Sequence, residues 1–337
     1  MPSTSPGDAA FHATGHVSAY DLPADGADLG SAAPHAGTPG TRPTTRTTIA
    51  RLAAFAGLST LAVTVAPALL YPFFEAAGAV TGTRLIAYGA MSCAGVLVAT
   101  AITLRWFGES WRTGTRLGAD ALGAAPVAGG ISAGWFAIAI PTGFLLWTGA
   151  LRMVPAESGS WMAAAGLVLV MLAPAALMEE LTVRGYAFTL LQRRWGATAA
   201  VLVTSVLFGL LHLLNPGASV QAIAMVMLAG VFLAIVRLAF DSLWAAWLAH
   251  LAFNFVQLAL FHTAVSGLAV PQPHYQTIAA GPAWLTGGDW GPEAGAAAAL
   301  GMLVVSFVLA VFAGWVRIAR RGWRLDITWR PQRRRES

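Results

Sequence analysis

Six polar side chains stand inside apolar runs, where lipid or packed helix would otherwise exclude them. They are Glu179, Glu180 and Arg184 in one run, His212 in the next, and His250 with Asn254 in a later one. Ionisable groups at membrane depth cost several kcal/mol and mark function by default. Glu180 and Arg184 are four residues apart, so on a helix they share a face and can pair, the carboxylate preceding the cation. That pair reads as mainly supporting. Glu179 lies about 100° around the same helix and is less well served by Arg184. A carboxylate left in this way is suited to taking and returning a proton. His250 and Asn254 are also four apart and face one way, and Phe208, one turn before His212, packs beside the ring.

The set lacks a nucleophilic side chain. No His-Glu-x-x-His helix occurs, and Cys93 sits in an apolar run as an inert packed thiol. Water is then the nucleophile. A carboxylate and an imidazole can deprotonate it, while His and Asn donors can stabilise an oxyanion, which is what amide hydrolysis needs. The same side chains allow a second reading, in which Glu179, His212 and His250 hold one divalent metal such as zinc. Spacing alone does not choose between the two.

The elements that must position these residues follow from composition. Of 337 residues, 57% are apolar and only 10% charged, with a mean hydropathy of +0.65. Soluble domains run near 25% charged, so a cytosolic enzyme and a nucleic-acid binder are excluded. Eight apolar stretches, near 50–72, 84–104, 127–150, 160–191, 196–214, 219–236, 243–263 and 294–316, have the length that a bilayer core of about 30 Å demands. Backbone groups in lipid must pair within the segment, so the expected fold is all-α, a polytopic bundle of about eight transmembrane helices. Pro141 and Pro174 fall inside two of them as candidate kinks.

All basic residues are Arg. With the N-terminus inside, 17 Arg fall in inside segments and two, Arg84 and Arg152, outside, a bias that orients the chain. Both termini are therefore expected in the cytoplasm. Residues 1–48, rich in Ser, Thr, Pro and Gly, are expected to be a disordered tail. Residues 49–318 form the membrane domain, and 319–337 a basic tail beside anionic headgroups. In the outside segment 264–293, Trp284 and Trp290 read as interfacial anchors. His262 reads as interfacial, and Asp241 beside Arg237 as a solvated turn pair.

Depth gives a test of convergence. Glu179 precedes the turn at Trp195–Gly196 by about 16 residues and His212 follows it by about 17, so both lie roughly 25 Å along their helices. His250 and Asn254 lie only about 13 and 20 Å beyond the Asp241 turn. For them to join the set, the first hairpin must project further into the cytoplasm.

The pattern Glu179-Glu180-x-x-x-Arg184, then Phe208-x-x-x-His212, then His250-x-x-x-Asn254 resembles the three motifs of the CPBP family, also called Abi. The family holds type II CAAX prenyl endopeptidases and bacteriocin-processing intramembrane proteases. The match spans roughly residues 165–262, and Val183 departs from it where the family usually has an aromatic residue. The resemblance implies that Glu179 and His212 activate water, that His250 and Asn254 form an oxyanion hole, and that Glu180 and Arg184 support the site. The family is often called a metalloprotease family, yet some members are described as metal-free, and the expectation here is no obligatory metal. The implied protein is an intramembrane endopeptidase of a bacterial cytoplasmic membrane, acting on a peptide or membrane-protein substrate at a cytoplasm-facing cavity. The alternatives are a non-catalytic immunity or scaffold factor and a proton-coupled carrier using Glu179 and His212 as a relay.

Overall fold

Serine caps and glycine or left-handed turns set where the helices begin and end, and apolar composition sets how far they run. The computed structural model describes residues 44–76, 81–270 and 272–321. The first two helices are α1 (Thr45–Ala76) and α2 (Thr81–Trp106), followed by the short α3 (Trp111–Gly114). Next come α4 (Ala124–Trp147), α5 (Trp161–Glu180), a π-helical turn over Leu181–Gly185, and α6 (Tyr186–Trp195). The site region continues with α7 (Ala197–Leu211), α8 (Val220–Phe240), α9 (Leu243–Phe255) and a second π turn, Val256–Leu260. The chain ends with α10 (Ala283–Thr286) and α11 (Ala296–Arg321).

Ser160, Ser219 and Ser242 each accept the N–H three residues on, capping α5, α8 and α9. Gly196, at φ 90°, reverses the chain between α6 and α7, and Asp241, at φ 48°, does so between α8 and α9.

Among the described residues, seven helices are long and apolar enough to cross a membrane, with α5 and α6 read together as one span, Trp161–Trp195. The chain is an all-α integral membrane protein. Large side chains such as Ile140, Phe144, Leu300 and Phe307 face outward, as a lipid-facing surface requires. The eighth stretch, expected over 196–214, is shorter than a span. Its helix α7 has 15 residues, because the backbone turns at His212 and runs irregularly to Ser219. The tail expected over 1–48 lies outside the described residues except at its end, where Thr44 caps α1 and the helix is already formed. The tail 319–337 lies outside them beyond Arg321.

Helix α4 packs tightly on α9 because Gly130 and Gly134 face Ala245 and Ala249 with no room for a Cβ. This small-xxx-small stripe lets two backbones approach where lipid offers no hydrophobic drive. Opposite the arginine-bearing turns, an antiparallel pair that the sequence did not suggest, β1 (Leu151–Pro155) and β2 (Tyr275–Ala279), joins the two long outer segments.

Two outer-segment expectations are corrected. Trp290 is 4% exposed and donates its indole N–H to Glu293, so it is a core residue rather than an interfacial anchor, whereas Trp284 is exposed. His262 is buried and stacked on Tyr275, with Nδ1 2.7 Å from that residue's carbonyl. The Arg237–Asp241 pair is solvated at one end only: Asp241 is exposed, but the guanidinium is buried, 3.4 Å from both Asp241 and Thr189. Cys93 is buried as expected.

Candidate active site

The end of α5, the end of α7 and the middle of α9 meet at one level and bring the six polar residues together. Glu180 is fully buried and accepts from Arg184 Nη1 at 2.9 Å. The same oxygen faces His250 Nδ1 at 3.0 Å, a contact the spacing did not announce. Arg184 also donates to the carbonyl of Gly230 at 3.3 Å and lies over the Phe208 ring, 4.0 Å from its centroid. Phe208 meets His212 edge-on at 4.8 Å and His250 at 5.9 Å. One ring therefore lies between the Arg184 guanidinium and His212, and also touches His250. The π turn Leu181–Gly185 falls between Glu180 and the next helix, and π bulges of this kind recur at functional sites.

Glu179 projects between the imidazoles. Its Oε2 is 3.9 Å from His212 Nε2 and 3.9 Å from His250 Nε2, and that oxygen is buried without a hydrogen-bond partner among the described residues. A gap of this size suits a bridging water, which would bond each atom at about 2.8 Å. The other ring nitrogens fix the tautomers. His212 Nδ1 lies 2.8 Å from the Phe208 carbonyl and must donate, leaving Nε2 as a base. His250 Nδ1 faces a carboxylate and donates as well, so His250 Nε2 donates only when the ring carries both protons. Asn254, one turn beyond His250, lines the same cavity.

Glu179, His212 and His250 are the residues that would hold a metal. Ligands about 2.05 Å from a tetrahedral zinc lie about 3.3 Å apart, closer than the 3.9 Å found here. Among the described residues no group of three His, Cys, Asp or Glu converges on a metal position. The donor set does not fit the ion as it stands.

The cavity is otherwise apolar, walled by Met225, Val226, Phe232, Leu233 and Phe253, and reaches Ser266 and Glu293. Its α8 lining runs from Met225 to Leu233 across the middle of that helix, and its far end belongs to the outer segments. It therefore extends from the level of the imidazoles toward the end of the bundle opposite the arginine-bearing turns. Glu293 was missed because it stands outside every apolar run.

A helix bundle of membrane-spanning length, with a carboxylate set between two imidazoles, defines an integral membrane protein with a polar cluster inside it. Residues 160–256, which carry all six polar residues, match the family model described as Type II CAAX prenyl endopeptidase Rce1-like. The match covers under a third of the chain, and over that segment the chain is similar to this family of endopeptidases. No curated protein and no solved structure matches it.

Proposed function

We propose that the protein is an intramembrane endopeptidase that hydrolyses a peptide bond with water held between Glu179 and His212. The observation that carries this reading is the unpartnered Glu179 Oε2, equidistant from two imidazole nitrogens. Water gives a proton to the Glu179–His212 pair as its oxygen bonds to the substrate carbonyl carbon. The carbonyl oxygen becomes an oxyanion facing the Asn254 amide and the Nε2–H of a His250 ring that carries both protons. The proton then passes to the leaving nitrogen as the C–N bond breaks. Glu180 and Arg184 hold His250 in place. The apolar cavity supports a peptide or membrane-protein substrate with apolar residues beside the scissile bond.

The step as drawn needs no metal. The test is cleavage of a peptide panel by purified wild type, Glu179→Ala and His212→Ala, each with and without a chelator. Removing a general base costs about 10²–10⁴-fold, so both variants are expected to fall by that factor and chelated wild type to keep its rate. Equal cleavage by all three proteins would sink the catalytic assignment.

A further inference from the structure

Glu293 has no part in the reaction just described, yet it lines the same cavity and collects hydrogen bonds from three separate stretches of chain. Its Oε1 accepts the Ser266 N–H at 2.8 Å, the Ser266 hydroxyl at 2.7 Å and the Trp290 indole at 3.2 Å. Its Oε2 accepts the Gln257 amide at 3.1 Å, and Gln257 Oε1 in turn takes the Glu293 N–H at 3.3 Å. Four donors converge on one side chain, and a carboxylate is the group that accepts them all without presenting a proton of its own. Ser266 stands at φ 50°, a conformation few non-glycine residues adopt, and both of its donors are spent on Glu293.

Two bonded routes leave this hub for the site. One passes through Gln257, about one turn beyond Asn254 on the segment that carries His250. The other passes through Ser266, whose carbonyl accepts from Asn215 Nδ2 at 3.2 Å, while the Asn215 N–H bonds the His212 carbonyl at 3.1 Å. We propose that Glu293 is a positioning residue that sets the gap between His212 and His250 across Glu179. The proposal rests on the endopeptidase reading for its kinetic consequence, but not for its structural one.

The test uses the full-length protein in nanodiscs. Glu293→Gln keeps the shape but sets an amide N–H against one of the four donors. The reciprocal swap, Glu293→Gln with Gln257→Glu, restores every bond: the new amide donates to residue 257 and its carbonyl replaces Oε1. Misplacing a catalytic group by about 1 Å costs up to about 10²-fold, so Glu293→Gln is expected to lower kcat about ten- to hundred-fold with KM changed less than about two-fold. Amide hydrogen exchange is expected to rise in 212–218 and 261–268 together. The swap is expected to recover both kcat and protection. Ser266→Ala, which removes one donor and no charge, is expected to loosen both segments as well. A rise confined to 261–268 in either variant, or a swap that folds and recovers neither, overturns the proposal. If wild type cleaves no peptide, the endopeptidase reading fails, while exchange at 212–218 still decides the role of Glu293.

Discussion

Arg184 and Glu180 have no exposure to solvent, so each is tolerable only because of the other. Removing one partner of a buried pair leaves an uncompensated charge and costs about 3–5 kcal/mol, whereas replacing both by apolar or neutral groups of similar volume is often close to neutral. Arg184→Ala also removes the cation from the face of Phe208, the ring against which both imidazoles rest. We expect Arg184→Ala to lower stability by about 3–5 kcal/mol, and the double variant Arg184→Met with Glu180→Gln to lower it by much less. Denaturant unfolding of the purified variants in detergent reads the difference. Losses that simply add would show that the pair is not a unit. The i, i+4 spacing made this pair legible. The second bond of Glu180, to His250, was not, because it joins residues 70 apart in sequence and depends on how α5 and α9 cross.

At the scale of elements, what the sequence showed best was length. Among the described residues, seven of the eight apolar stretches became helices of spanning length, and the eighth, α7, is a shorter apolar helix because the apolar run continues through Leu213 and Leu214 after the backbone has left the helix. Hydropathy reports where a segment is comfortable, not where its hydrogen bonds stop. The close crossing of α4 and α9 was written in the sequence as Gly130-x-x-x-Gly134 and was not read there. It bears on the site because Ala249, which Gly134 faces, immediately precedes His250. A Cβ at position 134 would overlap the Ala249 carbonyl, which cannot swing aside as a flexible side chain would. Gly134→Ala should therefore push α9 outward, costing about 1–3 kcal/mol of stability through overpacking. Peptide cleavage should fall more than in Gly143→Ala on the same helix, where open space awaits the methyl group. Equal activity of the two variants would mean that the α4–α9 spacing does not set the position of His250. The Glu293 hub and the β1–β2 pair lay beyond sequence reading for another reason: both are assembled from irregular outer segments with no periodicity to follow.

Across the whole molecule, charge is sorted by end. Glu109 bridges Arg51 and Arg193, while Arg112 pairs with Asp120 and Arg116 with Asp241, tying the turns at one end of the bundle. Arg152 lies at the other end, on β1, where the outer segments roof the cavity. The arginine count assigns the first end to the cytoplasm. Since the cavity extends toward the second end, that orientation would have it run from the polar cluster toward the outer leaflet, which bears directly on where a substrate is met. The chain is suited to deciding this, because its single cysteine, Cys93, is buried. Cysteines introduced one at a time at the exposed positions Asp120, Glu157 and Trp284 leave every arginine in place. In intact bacterial cells a membrane-impermeant maleimide should label positions 157 and 284 and reach position 120 only after the membrane is opened. The reverse pattern would overturn the arginine rule for this chain and turn the cavity toward the cytoplasm. Labelling of all three in intact cells would break the assumption that the two ends lie on opposite sides of the membrane, and with it the spanning topology.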